Sequence, residues 1–261
     1  MYERELAVAR ETAERAGEII ARYCGGTDLV HWDKAEDSPV TEADLEANAA
    51  IERSLRASFP DDAILSEETV DMYQRRHAER LWIVDPLDGT KELIAGIPEF
   101  AVSVGLSVAG EPVVGCIYQP TTGECFWAAR DGGAFLDGER ITVSDTDELS
   151  RATLLASRSE TKRGDVEPYA RLFGRVVATG SAAVKLAHVA CGRGDLWVST
   201  AAKNEWDVCA GDAVLREAGG TLVTLGAGAR SYNQEKLLLE PLIVAGPANL
   251  VREFAERSRE L

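Results

Sequence analysis

Residues 82–92 read Trp82-Ile83-Val84-Asp85-Pro86-Leu87-Asp88-Gly89-Thr90-Lys91-Glu92. The apolar run from Leu81 to Val84 predicts a short buried strand. Pro86 cannot donate to a sheet ladder, so the strand is expected to stop there and deliver Asp85 at its end. Asp88 follows three residues later. Two carboxylates leaving one tight turn can converge on a hard cation, with the Leu87 carbonyl as a further oxygen ligand. Gly89 allows close backbone approach, and Thr90 opens a helical turn whose free N–H groups suit a phosphate. A plain β-turn of Asp, Pro and Gly has the same composition, so this stretch by itself leaves both readings open.

Acidic residues elsewhere repeat the ambiguity. Glu67 and Glu68 follow the short apolar run Ala63–Leu65, at a second expected strand end, where a solvated loop is the plainer reading. Thr41 and Asp44 open a helix and satisfy a capping box as well as they would a functional role. Asp207, after Trp206, reads equally as the N-cap of the following helix.

Outward from these segments, the apolar positions Leu6, Ala9, Ala13, Ala16, Ile19, Ile20 and Tyr23 predict an amphipathic first helix ending at Gly25-Gly26. A second helix is expected from Thr41 to Phe59, closed by Pro60. Strands are expected at Ala101–Val108, Val113–Tyr118 and Cys125–Ala128, joined by turns at Gly110-Glu111-Pro112 and Thr121-Thr122-Gly123 as an antiparallel meander. Beyond Val143, strands at Thr153–Ala156, Arg175–Ala178, Leu196–Ser199, Thr221–Thr224 and Leu242–Ala245 alternate with helices. Those helices fall near Val166–Phe173, Ala182–Cys191, Val208–Ala218 and Ala248–Glu256. The pattern gives two layered α/β subdomains, residues 1–145 and 146–261, without a flexible linker.

Composition narrows the function. The 261 residues are 45% hydrophobic and 28% charged, as in an ordinary globular protein. No apolar run is long enough to span a bilayer and the start lacks a signal-peptide pattern, so a cytoplasmic location with no membrane partner is expected. Five scattered cysteines and three histidines argue against a disulfide framework and against zinc. A net charge of −16 argues against a nucleic-acid polymer as partner. A phosphorylated substrate would need positive charge from elsewhere, and metal ions supply it.

Taken together, Pro39-Val40-Thr41 with Asp44, Glu67-Glu68, Asp85-Pro86-Leu87-Asp88-Gly89-Thr90, Gly180-Ser181-Ala182-Ala183, Trp206-Asp207 and Glu217-Ala218-Gly219-Gly220 resemble the inositol monophosphatase superfamily in order and spacing. The resemblance covers roughly residues 5 to 250. It implies an αβαβα sandwich and a phosphatase that uses two or three Mg²⁺ ions. It also implies that Glu67, Asp85, the Leu87 carbonyl, Asp88 and Asp207 are the metal ligands. Asp44 would help hold a third ion through water, and Thr90 with Glu67 would orient the attacking water. Inhibition by Li⁺, and a monomer or homodimer, are further implications.

Within the superfamily, Lys91-Glu92 after Thr90 resembles the bisphosphate nucleotidase branch, which acts on the 3′-phosphate of adenosine 3′,5′-bisphosphate (PAP). Lys185, after Gly180 and Ser181, resembles a Lys of that branch, and Lys91 or Lys185 would meet a second phosphate. Gly89, Thr90, Gly180 and Ser181 complete the expected substrate contacts. Inositol phosphatases place an acidic residue seven positions before the Trp-Asp aspartate. Thr200 stands there in this chain, with Glu205 nearby. Leu93 instead of Phe departs from the nucleotidase pattern. An inositol phosphate or fructose bisphosphate is therefore the alternative substrate, and a catalytically silent metal-binding relative is the reading from a different class.

Overall fold

The computed structural model describes residues 1–25, 31–35, 38–70 and 73–261. Its first half runs α1 (Glu3–Ala21), β1 (His31–Ala35), β2 (Ser38–Thr41), α2 (Glu42–Ser58), β3 (Ala63–Ser66), β4 (Arg80–Asp88) and α3 (Thr90–Ile94). Strands β5 (Ala101–Val108), β6 (Glu111–Gln119), β7 (Glu124–Ala129), β8 (Gly133–Leu136) and β9 (Glu139–Ile141) follow. Strands β3 to β9 form one seven-stranded sheet in sequence order, parallel between β3 and β4 and antiparallel thereafter.

The second half begins β10 (Thr153–Ser157), α4 (Arg158–Arg163), α5 (Glu167–Ala170), β11 (Arg175–Thr179), α6 (Ala182–Ala190) and β12 (Leu196–Ser199). It ends β13 (Lys203–Asn204), α7 (Glu205–Glu217), β14 (Thr221–Thr224), β15 (Leu238–Leu239), β16 (Ile243–Gly246) and α8 (Ala248–Arg257). A five-stranded sheet takes the order β11-β10-β12-β16-β14, with β16 antiparallel to both neighbours. The chain passes from one sheet to the other between Ile141 and Thr153.

Burial explains the layering. Ala9, Ala13, Ala16 and Ile20 of α1 and Ala47, Ile51 and Leu55 of α2 lie against Trp82, Val84, Val102 and Val104 on the outer face of the larger sheet. On its other face Ile83, Ile117 and Phe126 meet α6 and α7, which also cover Leu155, Trp197 and Ile243 of the smaller sheet. Helix α6 is apolar almost all round because it is sandwiched between two sheets. Gly115 permits the tight fit of α7: a Cβ there would stand 2.2 Å from the Ala210 carbonyl oxygen. The far face of the smaller sheet, Val198 and Val244 among it, is closed by Leu250, Val251 and Phe254 of α8. The result is an αβαβα sandwich.

Several sequence expectations need correction. Strand β4 does not stop before Pro86 but continues to Asp88, its pairing with β5 broken by a register shift between Asp85 and Asp88. The expected helix over Val166–Phe173 is one turn, Glu167–Ala170, because Pro168 starts it and Gly174 soon follows. Val166, Leu172 and Phe173 are nonetheless buried. Strands β8 and β9 and helix α4 carry too few apolar residues in period to be read from sequence. The first helix ends at Ala21, with turns to Gly25; Gly26 lies outside the described residues.

Candidate active site

The bulge in β4 sets the geometry. Pro86 has no N–H for the ladder, so pairing passes from Asp85 opposite Ser103 to Asp88 opposite Ala101 with a residue too many between them. The Leu87 N–H turns back to donate to Asp85 Oδ1 at 3.0 Å. Gly89 then adopts φ 110°, and a Cβ there would lie 2.8 Å from Phe100 Cβ, so only glycine allows α3 to start at Thr90. Glu67 leaves the end of the neighbouring strand β3, its N–H held by the Val84 carbonyl at 3.2 Å.

The capping-box reading of Thr41 and Asp44 holds. Thr41 caps α2, accepting from the Ala43 N–H at 3.1 Å, while Asp44 Oδ2 accepts from the Thr41 N–H at 2.8 Å and the Thr41 hydroxyl at 2.5 Å. The other carboxylate oxygen, Oδ1, accepts the Thr90 hydroxyl at 2.9 Å. Burial pushes the Asp44 carboxyl up, against these hydrogen bonds. Asp207 is not the N-cap of its helix. Asn204 holds that position, and Asp207 sits a turn in, accepting from the Asn204 N–H at 2.7 Å.

Glu67, Asp85, Leu87, Asp88, Thr90 and Asp207 all line one cavity of about 310 Å³. Asp85 is 2% exposed, and its carboxyl is pushed far up by burial, then by Glu67, Asp88 and Asp207. Burial raises Asp207 to about 6, with Lys203 pulling it down and Asp88 up. Asp88 Oδ2 is fixed by the Ser181 hydroxyl and the Ala183 N–H, each at 2.6 Å. Among the described residues no three acidic side chains are drawn to a single point. The donor set is nevertheless all oxygen, four carboxylates and one carbonyl, and a hard divalent cation would offset the burial and the repulsion that together raise Asp85.

The expected substrate contacts divide. Gly89, Thr90, Lys91, Ser181 and Lys185 line the cavity. Gly180 is set back, donating its N–H to Glu99 Oε2 at 2.6 Å. Lys185 is 2% exposed, and its ammonium donates to the carbonyls of Thr179 at 3.0 Å, Gly180 at 3.1 Å and Ser181 at 2.6 Å. All three of its protons therefore support the Gly180-Ser181 turn, and burial lowers it to about 8. Glu205 is fully buried, bonded to Arg230 and to the N–H groups of Asn233 and Gln234, so it is unavailable to a sugar hydroxyl.

Sequence reasoning missed Lys203, Ser157 and Ser159, which line the same cavity. The one signal for Lys203 was its place four residues before Asp207. It also missed Glu160, 1% exposed, whose Oε1 gathers the hydroxyls of Ser199 and Thr200 and the Ala201 N–H.

Comparison with known proteins agrees with this architecture. The model of the inositol monophosphatase family matches residues 1–260. The Nus factor SuhB of Vibrio cholerae is 33% identical over 237 residues, covering 88% of each chain. An inositol monophosphatase of Mesembryanthemum crystallinum is 37% identical over 229 residues, 83% of this chain and 84% of that one. The crystal structure of CysQ from Bacteroides thetaiotaomicron, a bacterial member of the inositol monophosphatase family, superposes with a TM-score of 0.79. It is 30% identical and covers 95% of this chain and 98% of its own. The family match and the relatives named for inositol monophosphatase activity make this chain a phosphoric monoester hydrolase. The chain belongs to the inositol monophosphatase family.

Proposed function

We propose that this protein is a Mg²⁺-dependent phosphatase of a small phosphorylated metabolite, with the 3′-phosphate of PAP as its first substrate. The observation that carries the reading is the assembly of Glu67, Asp85, Leu87, Asp88 and Asp207, from three distant segments, around one cavity with Thr90. These five residues would hold the metal. Magnesium bound there would neutralise phosphoryl charge and acidify water for direct attack. Thr90 supplies orientation: its proton is directed at Asp44, which leaves an oxygen lone pair to accept from the attacking water. Glu67, on the same wall, would accept the second proton.

The choice of PAP rests on Lys91-Glu92 and on the cavity wall before Asp207. Thr200 puts a neutral hydroxyl, already donating to Glu160, where a carboxylate is expected, and Glu205 is consumed by Arg230, so the acidic acceptor for a polyol hydroxyl is missing from both expected places. The second reading, an inositol phosphate or fructose 1,6-bisphosphate phosphatase, is favoured by the 37% identity to an inositol monophosphatase. Phosphate release from PAP, inositol 1-phosphate and fructose 1,6-bisphosphate, with Mg²⁺ and with EDTA, separates the two. PAP turnover no faster than the others ends the first reading, and release that ignores EDTA ends the metal assignment.

A further inference from the structure

We propose that Lys203 is the specificity-determining residue of the site, the cation that receives a second phosphate on the substrate while the first is hydrolysed. This rests on the reading that the cavity holds the scissile phosphate. It does not depend on which bisphosphate is cleaved.

Four observations converge on Lys203. It lines the cavity beside Asp207 and Asp88, and is half-buried. With the described residues its ammonium makes no hydrogen bond or ion pair, although its charge reaches both Asp207 and Lys185. A half-buried ammonium at a cavity wall, with no carboxylate in hydrogen-bonding contact, is poised to receive an anionic substrate group. Lys185, one of the two cations expected from sequence beside Lys91, has no proton left to offer, because three carbonyls take all of them.

The backbone that carries Lys203 is held from both sides. Upstream, Glu160 ties down Ser199, Thr200 and Ala201. Downstream, Glu205 is locked by Arg230, Asn233 and Gln234. Between them β13 pairs with β15, Lys203 opposite Leu239. Two buried carboxylates are therefore spent on presenting one lysine from a fixed frame. The same contacts use up Glu205 as an acceptor, and Thr200 offers a hydroxyl where a carboxylate is expected. The wall that would offer an acidic acceptor to a polyol instead offers a positive charge, which matches a second dianion.

The test compares paired substrates that share a scissile ester and differ in the second phosphate: PAP against adenosine 3′-monophosphate, and fructose 1,6-bisphosphate against fructose 1-phosphate. The bisphosphate preference is the ratio of kcat/KM within a pair. Lys203→Gln should lower it by roughly tenfold or more, mainly through KM, Lys203→Glu should lower it further, and Lys203→Arg should keep most of it. An unchanged preference in the Gln and Glu variants overturns the proposal, as does a wild type without preference in either pair. If the adenosine pair is inert and the fructose pair shows the loss, PAP is the wrong substrate and Lys203 keeps its role. For a variant too slow to assay, the same ratio of dissociation constants by titration calorimetry decides, with thermal melting to confirm folding.

Discussion

Asp88 and Ser181, 93 residues apart, are joined by a hydrogen bond of 2.6 Å from the serine hydroxyl to Asp88 Oδ2. The same hydroxyl accepts the Val184 N–H at 3.0 Å, so one oxygen both caps α6 and aims a carboxylate of the other half of the chain. Ser181→Ala should cost about 1 kcal/mol of stability through the lost cap. It should also raise the Mg²⁺ concentration for half-maximal activity by about 10-fold, because Asp88 keeps only the Ala183 N–H of its two orienting donors. Activity against Mg²⁺ titration measures this; an unchanged half-saturation point would reduce Ser181 to a cap.

Asp85 carries the strain of the site. Asp85→Asn keeps the acceptor for the Leu87 N–H and removes a buried charge from beside Glu67, Asp88 and Asp207. Without divalent metal the variant should melt higher, by about 2–4 °C for each 1 kcal/mol of repulsion relieved. Its turnover should fall more than about 100-fold. Asp88→Asn should likewise abolish turnover with the fold intact. Melting in EDTA and phosphate release in Mg²⁺ test both, and a lower melting point for Asp85→Asn contradicts the repulsion argument.

The acidic residues that line the cavity were legible because each stands in a short contiguous motif, such as Asp85 to Thr90. The apolar periods made α1 legible and the alternation of strands and helices made two layered subdomains legible, whereas the five layers were expected only through the family resemblance. What sequence could not give was connection across the fold. Nothing near Lys185 in sequence says that its ammonium is folded back onto Thr179, Gly180 and Ser181. Nothing near Glu160 says that it meets Thr200, 40 residues on. Pro86 misled because a proline inside a strand normally ends it, and a bulge is the exception that tolerates it.

The Thr90–Asp44 hydrogen bond is expected to act on chemistry as well as on packing. Thr90→Ala leaves a buried Asp44 oxygen without its donor, a cost of about 1–3 kcal/mol, and removes the oxygen that orients water. Thr90→Ser restores both. The alanine variant should lose about 10–100-fold in kcat with KM little changed, and the serine variant should recover most of it. A loss confined to KM, or one that serine does not rescue, would place Thr90 in substrate binding instead.

His188 should set part of the acid sensitivity of the fold. It is half-buried on α6, and burial, followed by repulsion from Arg193, lowers its affinity for a proton, with Glu124 and Glu99 opposing and Lys185 adding to the repulsion. An unfolded histidine protonates near pH 6.5. As pH falls from about 6.5 towards the lower folded value, the unfolded chain therefore binds the extra proton first and stability is lost; above that window both states are neutral and the effect vanishes. Asp85 and Asp207, raised in the fold, contribute with the opposite sign, but they are common to wild type and variant. His188→Gln should consequently melt less steeply with acid, so that the difference in melting temperature between the two proteins shifts in the variant's favour from pH 7.5 to pH 5. Parallel melting curves across that range would show that His188 does not titrate as its burial requires.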